Sequence, residues 1–135
     1  MSTLKTSNFQ SLTAGTPPVF KDLNGTEIGQ LCRAWVNFNG TTSSPSTIRG
    51  SFNVSSVTKN GTGDYTINFT TAMVNANYCS TTCSDSTNFS QTGSVSTRSK
   101  STASIQIYTT VVVGVPGVSA RTLYDLEEVN VAIFR

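Results

Sequence analysis

The 135-residue chain contains no histidine, and only 12% of its residues are charged. Without histidine, no acid–base relay or triad built on imidazole exists. A zinc site would have to rely on thiolates and carboxylates. The seven acidic residues form no catalytic motif, whereas a glycosidase needs two carboxylates facing each other across the substrate. We therefore expect no catalytic residues, no cofactor and no metal, and predict that the protein is not an enzyme.

The chain also lacks a strong net charge, a long apolar run and an export signal. Its net charge of +2 is too small to predict binding to nucleic acid. The longest apolar run, residues 131–134, is far shorter than a membrane span. The N-terminus shows no apolar segment of the kind that a signal peptide needs. We expect no membrane insertion and a protein that is assembled in a cytoplasm.

Cysteine is scarce, with Cys32, Cys79 and Cys83 only. An odd number without an export signal argues against a disulfide framework. Cys32 is predicted to be a small core residue on a strand. The other two are predicted to lie in a loop, where a Cys79–Cys83 bridge across a turn is an alternative that the sequence leaves open.

Serine, threonine and asparagine are abundant, with 19, 22 and 11 copies, or 52 of 135 residues. Threonine is β-branched and suits strands, while serine and asparagine compete for backbone hydrogen bonds and suit turns. This composition favours β-structure over helix before any pattern is considered.

Apolar and polar residues alternate along residues 31–70, which predicts strands. In residues 31–38, Ala34, Val36 and Phe38 share a face with Cys32, and Trp35 lies on the opposite face. A second strand is predicted at residues 48–57, with a buried face formed by Ile48, Gly50, Phe52 and Val54. A third strand at residues 65–70 would complete an antiparallel meander with one buried face.

The rest of the chain contains further strand and turn signals. Asn24-Gly25 predicts a short hairpin near the N-terminus. Residues 80–103 have few apolar side chains and are either a long surface loop or a pair of edge strands. Residues 104–113 form a predicted strand, and so do residues 128–134, whose two apolar faces predict a central position or burial against a second chain.

These signals predict an all-β fold, an antiparallel β-sandwich or jelly-roll-like domain with an extended N-terminal arm. The arm or lead-in covers residues 1–30, and the sandwich covers residues 31–135. Three aromatic residues are candidates for contact with a partner or receptor: Trp35, Tyr108 and Tyr124. For Trp35, a position covered by the lead-in or by a second sheet is the favoured interpretation.

The strand segments AWVNFNG (34–40), IRGSFNVS (48–55) and GTGDYTINF (61–69) resemble a family of phage virion proteins. That family is frequent in tailed phages of cyanobacteria and other marine bacteria, and its members are described as tail fibre or virion structural proteins. The two ends of the chain, MSTLK and EVNVAIF, are similar to the ends of that family. The resemblance is weakest in residues 80–118.

The resemblance implies a structural or adhesive role on a virion, without catalysis, and a homotrimer that contacts other virion proteins. A tail-fibre or adhesin component that touches a host surface glycan or protein is the first hypothesis. A capsid decoration or head-fibre protein is the alternative. A carbohydrate-binding module that uses Trp35 as a stacking platform is a third and weaker one.

Overall fold

The computed structural model of the chain describes residues 18–85, 93–115 and 118–135, and these residues form strands and connecting turns without any helix. They contain no helix long and apolar enough to cross a membrane. The chain divides into two compact units, Met1–Leu31 and Cys32–Arg135. The prediction of an extended arm falls mostly on residues 1–17, which lie outside the described residues.

The first unit contains a short antiparallel hairpin, β1 (Phe20–Lys21) and β2 (Glu27–Gly29). The carboxylate of Asp22 organises the turn, because its Oδ1 atom accepts backbone hydrogen bonds from Asn24 at 2.9 Å and Thr26 at 2.8 Å. Gly25 has a φ of +81°, a conformation that glycine adopts without steric cost. The predicted hairpin at Asn24-Gly25 is therefore confirmed.

The second unit is a sandwich of two antiparallel sheets, which confirms the predicted all-β fold. The four-stranded sheet has the order β4-β3-β11-β7, and its strands are β3 (Cys32–Asn39), β4 (Thr47–Phe52), β7 (Cys79–Asp85) and β11 (Glu128–Phe134). The strands of the five-stranded sheet are β5 (Val54–Gly61), β6 (Asp64–Phe69), β8 (Gly93–Lys100), β9 (Ser104–Val115) and β10 (Val118–Leu123). Their order is β10-β9-β6-β5, and β8 also pairs with β9.

The core lies between the inner faces of the two sheets. The alternation predicted for β3, β6, β9 and β11 is confirmed, since every second side chain is buried: Ala34, Val36, Phe38, Tyr65, Ile67, Phe69, Ile105, Ile107, Val129, Val131 and Ile133. Phe38 and Tyr65 meet edge to face across the core, with ring centroids 5.1 Å apart. The central position predicted for the last strand is also confirmed, because β11 pairs with both β3 and β7, and Phe134 lies opposite Cys32.

The prediction of one strand at residues 48–57 and of a three-strand meander is wrong, because the chain changes sheets at Asn53. Strand β4 pairs with β3 in one sheet, and β5 pairs with β6 in the other. Asn53 has a φ of +55°, and asparagine is one of the few residues that tolerates this region. Its side-chain amide donates to the carbonyl oxygens of Arg33 at 3.0 Å and Thr71 at 3.1 Å, and its Oδ1 atom accepts from the Thr71 N–H at 2.7 Å.

The predicted burial of Phe52 is wrong as well, because a β-bulge changes the phase of β4. The register shifts between Asn37, which is opposite Gly50, and Phe38, which is opposite Ile48. An extra residue in one strand moves the following side chains to the other face. Ile48 therefore packs against the core, whereas the Phe52 side chain lies on the outer face and is 54% exposed.

The low-apolar segment 80–103 contains two edge strands, β7 and β8, in agreement with the second of the two predicted alternatives. They are linked by side chains, with Ser80 Oγ 3.1 Å from Thr97 Oγ1 and Thr82 Oγ1 donating to the Val95 carbonyl oxygen at 3.2 Å. Residues 86–92 lie outside the described residues.

The predicted loop position of Cys79 and Cys83 is wrong, and so is the alternative of a bridge between them. Both are free, exposed thiols on the extended strand β7. Four residues along a strand cover about 13 Å, which is beyond the reach of a disulfide.

Candidate functional site

The most connected group of charged side chains surrounds Asp125, in the segment between β10 and β11. The Lys59 ammonium, from β5, donates to Asp125 Oδ2 at 2.7 Å. The backbone N–H of Gly63, in the β5–β6 turn, and the hydroxyl of Tyr65, on β6, donate to Oδ1 at 2.8 and 2.6 Å. We call these four residues the Asp125 cluster.

The environment shifts the pKa values in the Asp125 cluster in opposite directions. Burial of Asp125 favours the neutral acid, but hydrogen bonds from Lys59, Tyr65 and Gly63 outweigh it and hold the pKa of Asp125 below its usual value. Burial, reinforced by the neighbouring Asp125 carboxylate, raises the pKa of the Tyr65 hydroxyl well above its usual value. At neutral pH the carboxylate is thus ionised and the phenol is protonated.

The donors of the Asp125 cluster are directed at partners inside the protein. Lys59 also donates to the carbonyl oxygens of Gly40 at 3.0 Å and Thr42 at 3.3 Å. The Tyr65 hydroxyl lies 2.8 Å from the Gly40 carbonyl oxygen. The hydrogen bonds of the cluster therefore connect the loop after β3, the β5–β6 hairpin and the segment before β11. Sequence reasoning missed it, because Asp125 lies 66 residues from Lys59 and 60 from Tyr65 and no local motif connects them.

A different set of side chains lies on the outer face of the four-stranded sheet. Across the strands, Trp35 is opposite Phe52 on β4 and Ala132 on β11, and Ala132 is opposite Thr81 on β7. Directly opposite residues in an antiparallel pair project to the same face. These four residues form the aromatic row of this face.

Trp35 is held close to the sheet by the absence of a side chain beside it. A Cβ atom added at Gly50 would lie 3.3 Å from the Trp35 ring, so a larger residue at Gly50 would push the ring outward. The Trp35 side chain is 43% exposed. The second sheet packs against the opposite face, so the prediction that a second sheet covers Trp35 is wrong. Cover by the lead-in involves residues 1–17, which lie outside the described residues, and stays a prediction.

A groove with a volume of about 340 Å³ runs beside Trp35. Its outward-facing lining comes from Trp35 on one side, Thr81 and Cys83 on the other, and Ala132 and Asn130 between them. The small side chain of Ala132 leaves the space between Trp35 and Thr81 open. Every residue that lines the groove is uncharged.

An amide–carboxylate group borders the groove in the next row across the sheet, where Asn37 lies opposite Asn130. The Asn37 amide donates to Asn130 Oδ1 at 2.6 Å and to Glu128 Oε1 at 3.0 Å, and the Asn130 amide donates to Glu128 Oε1 at 3.2 Å. Asn37 Oδ1 is buried and accepts no hydrogen bond. These bonds fix the orientation of the Asn130 amide at the groove.

The three aromatic residues predicted from the sequence are not brought together. Tyr108 lies on the outer face of the five-stranded sheet, on the far side of the sandwich from Trp35, and the Arg98 guanidinium covers its ring at 4.9 Å. Tyr124 is exposed and follows β10, where its backbone exchanges hydrogen bonds with Thr109. Of the three, Trp35 borders the groove described above.

The outer face of the five-stranded sheet differs from the aromatic row because its polar side chains bind one another. Asn68 donates to Ser56 Oγ at 3.0 Å and to Thr58 Oγ1 at 3.1 Å. Gln106 donates to Asp64 Oδ1 at 2.9 Å. These pairs occupy polar groups of this face, so the outer face of the four-stranded sheet is the better candidate for binding.

No family model, curated protein or solved structure matches the chain. Within the described residues, no group of three or more His, Cys, Asp and Glu side chains is arranged to hold a metal ion. The candidate site is therefore the groove beside Trp35 with its aromatic row and amide border.

Proposed function

We propose that this protein is a structural component of a phage particle, a tail-fibre or adhesin component that contacts the host surface and performs no catalysis. The resemblance of residues 34–40, 48–55 and 61–69 to phage virion proteins supports this proposal. These segments supply β3, the sheet-changing corner and the β5–β6 hairpin. They therefore include both core residues and the Trp35 side of the candidate site.

The observation that carries the adhesive role is the exposure of Trp35 and Phe52 side by side on a hydrogen-bonded sheet. Large aromatic side chains contribute strongly to recognition when they are held rigidly on a surface.

The Asp125 cluster supports a role without catalysis. A general base needs a lone pair directed at a substrate proton. The Asp125 carboxylate instead accepts three hydrogen bonds from its own chain, and Lys59 is engaged by Asp125 and two carbonyl groups. We infer that the cluster stabilises the fold, and that the protein acts through its surface as a homo-oligomer bound to other virion proteins.

A capsid decoration protein is the second candidate, favoured by the first unit. The β1–β2 hairpin leaves apolar side chains in solvent, with Ile28 67% exposed and Leu23 fully exposed. A two-stranded hairpin is not stable by itself in water. An apolar hairpin of this kind suits a segment that clamps another protein of the particle.

Labelling of intact virions with gold-tagged antibody to the chain separates these functions. The fibre or adhesin function predicts label at the tail, with a small number of copies per particle by quantitative mass spectrometry. Label spread over the head in many copies would establish the decoration function instead. Absence of the chain from purified virions would refute both.

A further inference from the structure

We propose that the groove beside Trp35 binds a neutral saccharide, with Trp35 as the stacking surface and Asn130 as the hydrogen-bonding group. The inference rests on the proposed adhesive function and specifies the chemistry of its ligand. It follows from the shape, charge and hydrogen-bonding capacity of the outer face of the four-stranded sheet.

The Trp35 ring provides the apolar half of a saccharide site. A pyranose ring has a face of C–H groups that packs on an aromatic ring, while its hydroxyls project from the ring edge. The Trp35 ring lies close over Gly50, which has no side chain, and Trp35 exposes nearly half of its surface. Ala132, directly opposite Trp35 on β11, leaves room for a ring next to the indole.

Asn130 provides the polar half. Its amide uses one N–H on Glu128 Oε1, and its Oδ1 atom accepts one bond from Asn37. An asparagine side chain has two N–H donors and two acceptor lone pairs, so one donor and one lone pair are left for a ligand. A pair of neighbouring sugar hydroxyls matches this combination, since each hydroxyl both donates and accepts.

The lining and the Asn130 border of the groove favour a neutral sugar. The lining is uncharged, and the nearest ionised group on the Asn130 border is the Glu128 carboxylate. A carboxylate repels the acidic groups of sialic or uronic acids. The volume of about 340 Å³ lies at the small end of the range for ligand sites, roughly 300–1,000 Å³, which suits a short saccharide.

A second copy of the chain is a poorer occupant for this face. A stable protein interface buries about 800 Å² on each partner around an apolar centre. The large exposed apolar side chains of this face are Trp35 and Phe52. The neighbouring row is formed by the polar residues Asn37 and Asn130, and Glu128 follows.

The test uses the whole 135-residue chain, because Trp35 is its only tryptophan and the fluorescence of Trp35 reports on the groove directly. The probes are short neutral oligosaccharides of glucose, galactose, mannose and N-acetylglucosamine, with sialylated and uronic acid oligosaccharides in parallel. We expect a saturable change in emission and protection from acrylamide quenching with at least one neutral probe. Absence of any response, or a response to acidic probes alone, would overturn the inference.

Variants assign the binding to the groove. Asn130→Ala, and Thr81→Val, which removes a hydroxyl from the groove wall that faces Trp35, are expected to weaken binding about tenfold each, the loss usual for a hydrogen bond to a ligand. Tyr124→Ala, which removes an exposed aromatic side chain elsewhere, is the matched control and is expected to leave the affinity unchanged. Thermal melts of each variant establish that it is folded. Equal affinity in wild type and both folded groove variants would place the sugar elsewhere and refute the proposal.

The two proposals fail separately. A chain that labels the tail of the virion but binds none of the saccharides keeps its proposed function and loses this inference. A Trp35 emission that changes with protein concentration alone, together with a dimer in sedimentation, would show that a second copy covers the groove and would also overturn it.

Discussion

Replacement of Asp125 by asparagine tests whether the Asp125 cluster stabilises the fold. Asparagine keeps the shape and the Oδ1 acceptor but removes the charge and presents an amide to the Lys59 ammonium. Removal of one partner of a buried ion pair costs about 3–5 kcal/mol. The carboxylate is a quarter exposed, and Lys59 keeps two carbonyl partners, so we expect a smaller loss of about 2–3 kcal/mol.

Urea unfolding followed by circular dichroism measures this loss, and a melting temperature lower by roughly 6–12 °C should accompany it. Glu127→Gln is the matched control, because Glu127 and Arg49 form an exposed pair at 3.7 Å, and such pairs contribute about 0–1 kcal/mol. A loss below about 1 kcal/mol in Asp125→Asn, or an equal loss in both variants, would refute the assignment of the cluster to stability.

The lowered pKa of Asp125 gives the same prediction a pH signature. An aspartate whose pKa is lower in the folded state contributes stability above its unfolded pKa, about 3.9, and loses it as the pH falls through the folded pKa. The difference in unfolding free energy between wild type and Asp125→Asn should be constant from about pH 5 to 8 and shrink below about pH 4. A difference that persists unchanged at low pH would contradict the ionised carboxylate as its source.

Three further predictions follow from burial and close approach. Phe52→Ala should lower the free energy of unfolding by less than about 1 kcal/mol, because Phe52 is exposed. Phe38→Ala should lower it by about 3–5 kcal/mol in the same urea melts, because Phe38 is buried. Equal losses in the two variants would contradict the outer placement of Phe52. Gly63→Ala should lower the free energy of unfolding by more than about 2 kcal/mol, because the new Cβ would lie 2.5 Å from the Thr109 carbonyl oxygen and the φ of Gly63 is +64°. The control Gly61→Ala should leave the stability nearly unchanged, because there is open space around Gly61. Both thiols of β7 should react quickly with iodoacetamide in the folded protein without prior reduction, as mass spectrometry would show; a shift of two mass units from an internal bridge would contradict their separation on the strand.

Much of the sandwich could be predicted from period-two alternation, because burial on one face leaves a direct mark on the sequence. The apolar alternation of β3 and β9 and the two-faced pattern of β11 each matched a strand of the structure. The corner at Asn53 and the bulge before Gly50 could not be predicted in this way. Alternation records which face is buried but does not record which sheet a strand joins.

The candidate site could be predicted only in part for a similar reason. The alternation of β3 places Trp35 on the face opposite Phe38, but its exposure depends on what the rest of the chain covers. The groove depends on Ala132 and Thr81, which reach Trp35 through strand pairing across most of the chain. The Asp125 cluster likewise unites residues that are adjacent only after both sheets have formed.

The pairing of Cys32 with Phe134 has a mechanical consequence. The first and last strands of the second unit, β3 and β11, are antiparallel neighbours. A force that separates Cys32 from Phe134 therefore breaks the hydrogen bonds between these strands one after another, beginning at this end. A force between Cys32 and a ligand on Trp35 instead passes through only the first residues of β3, which β11 holds from Cys32 onward and β4 joins at Trp35. A tether through residue 31 would therefore strain a short stretch of one central strand and leave most of the sandwich free of tension.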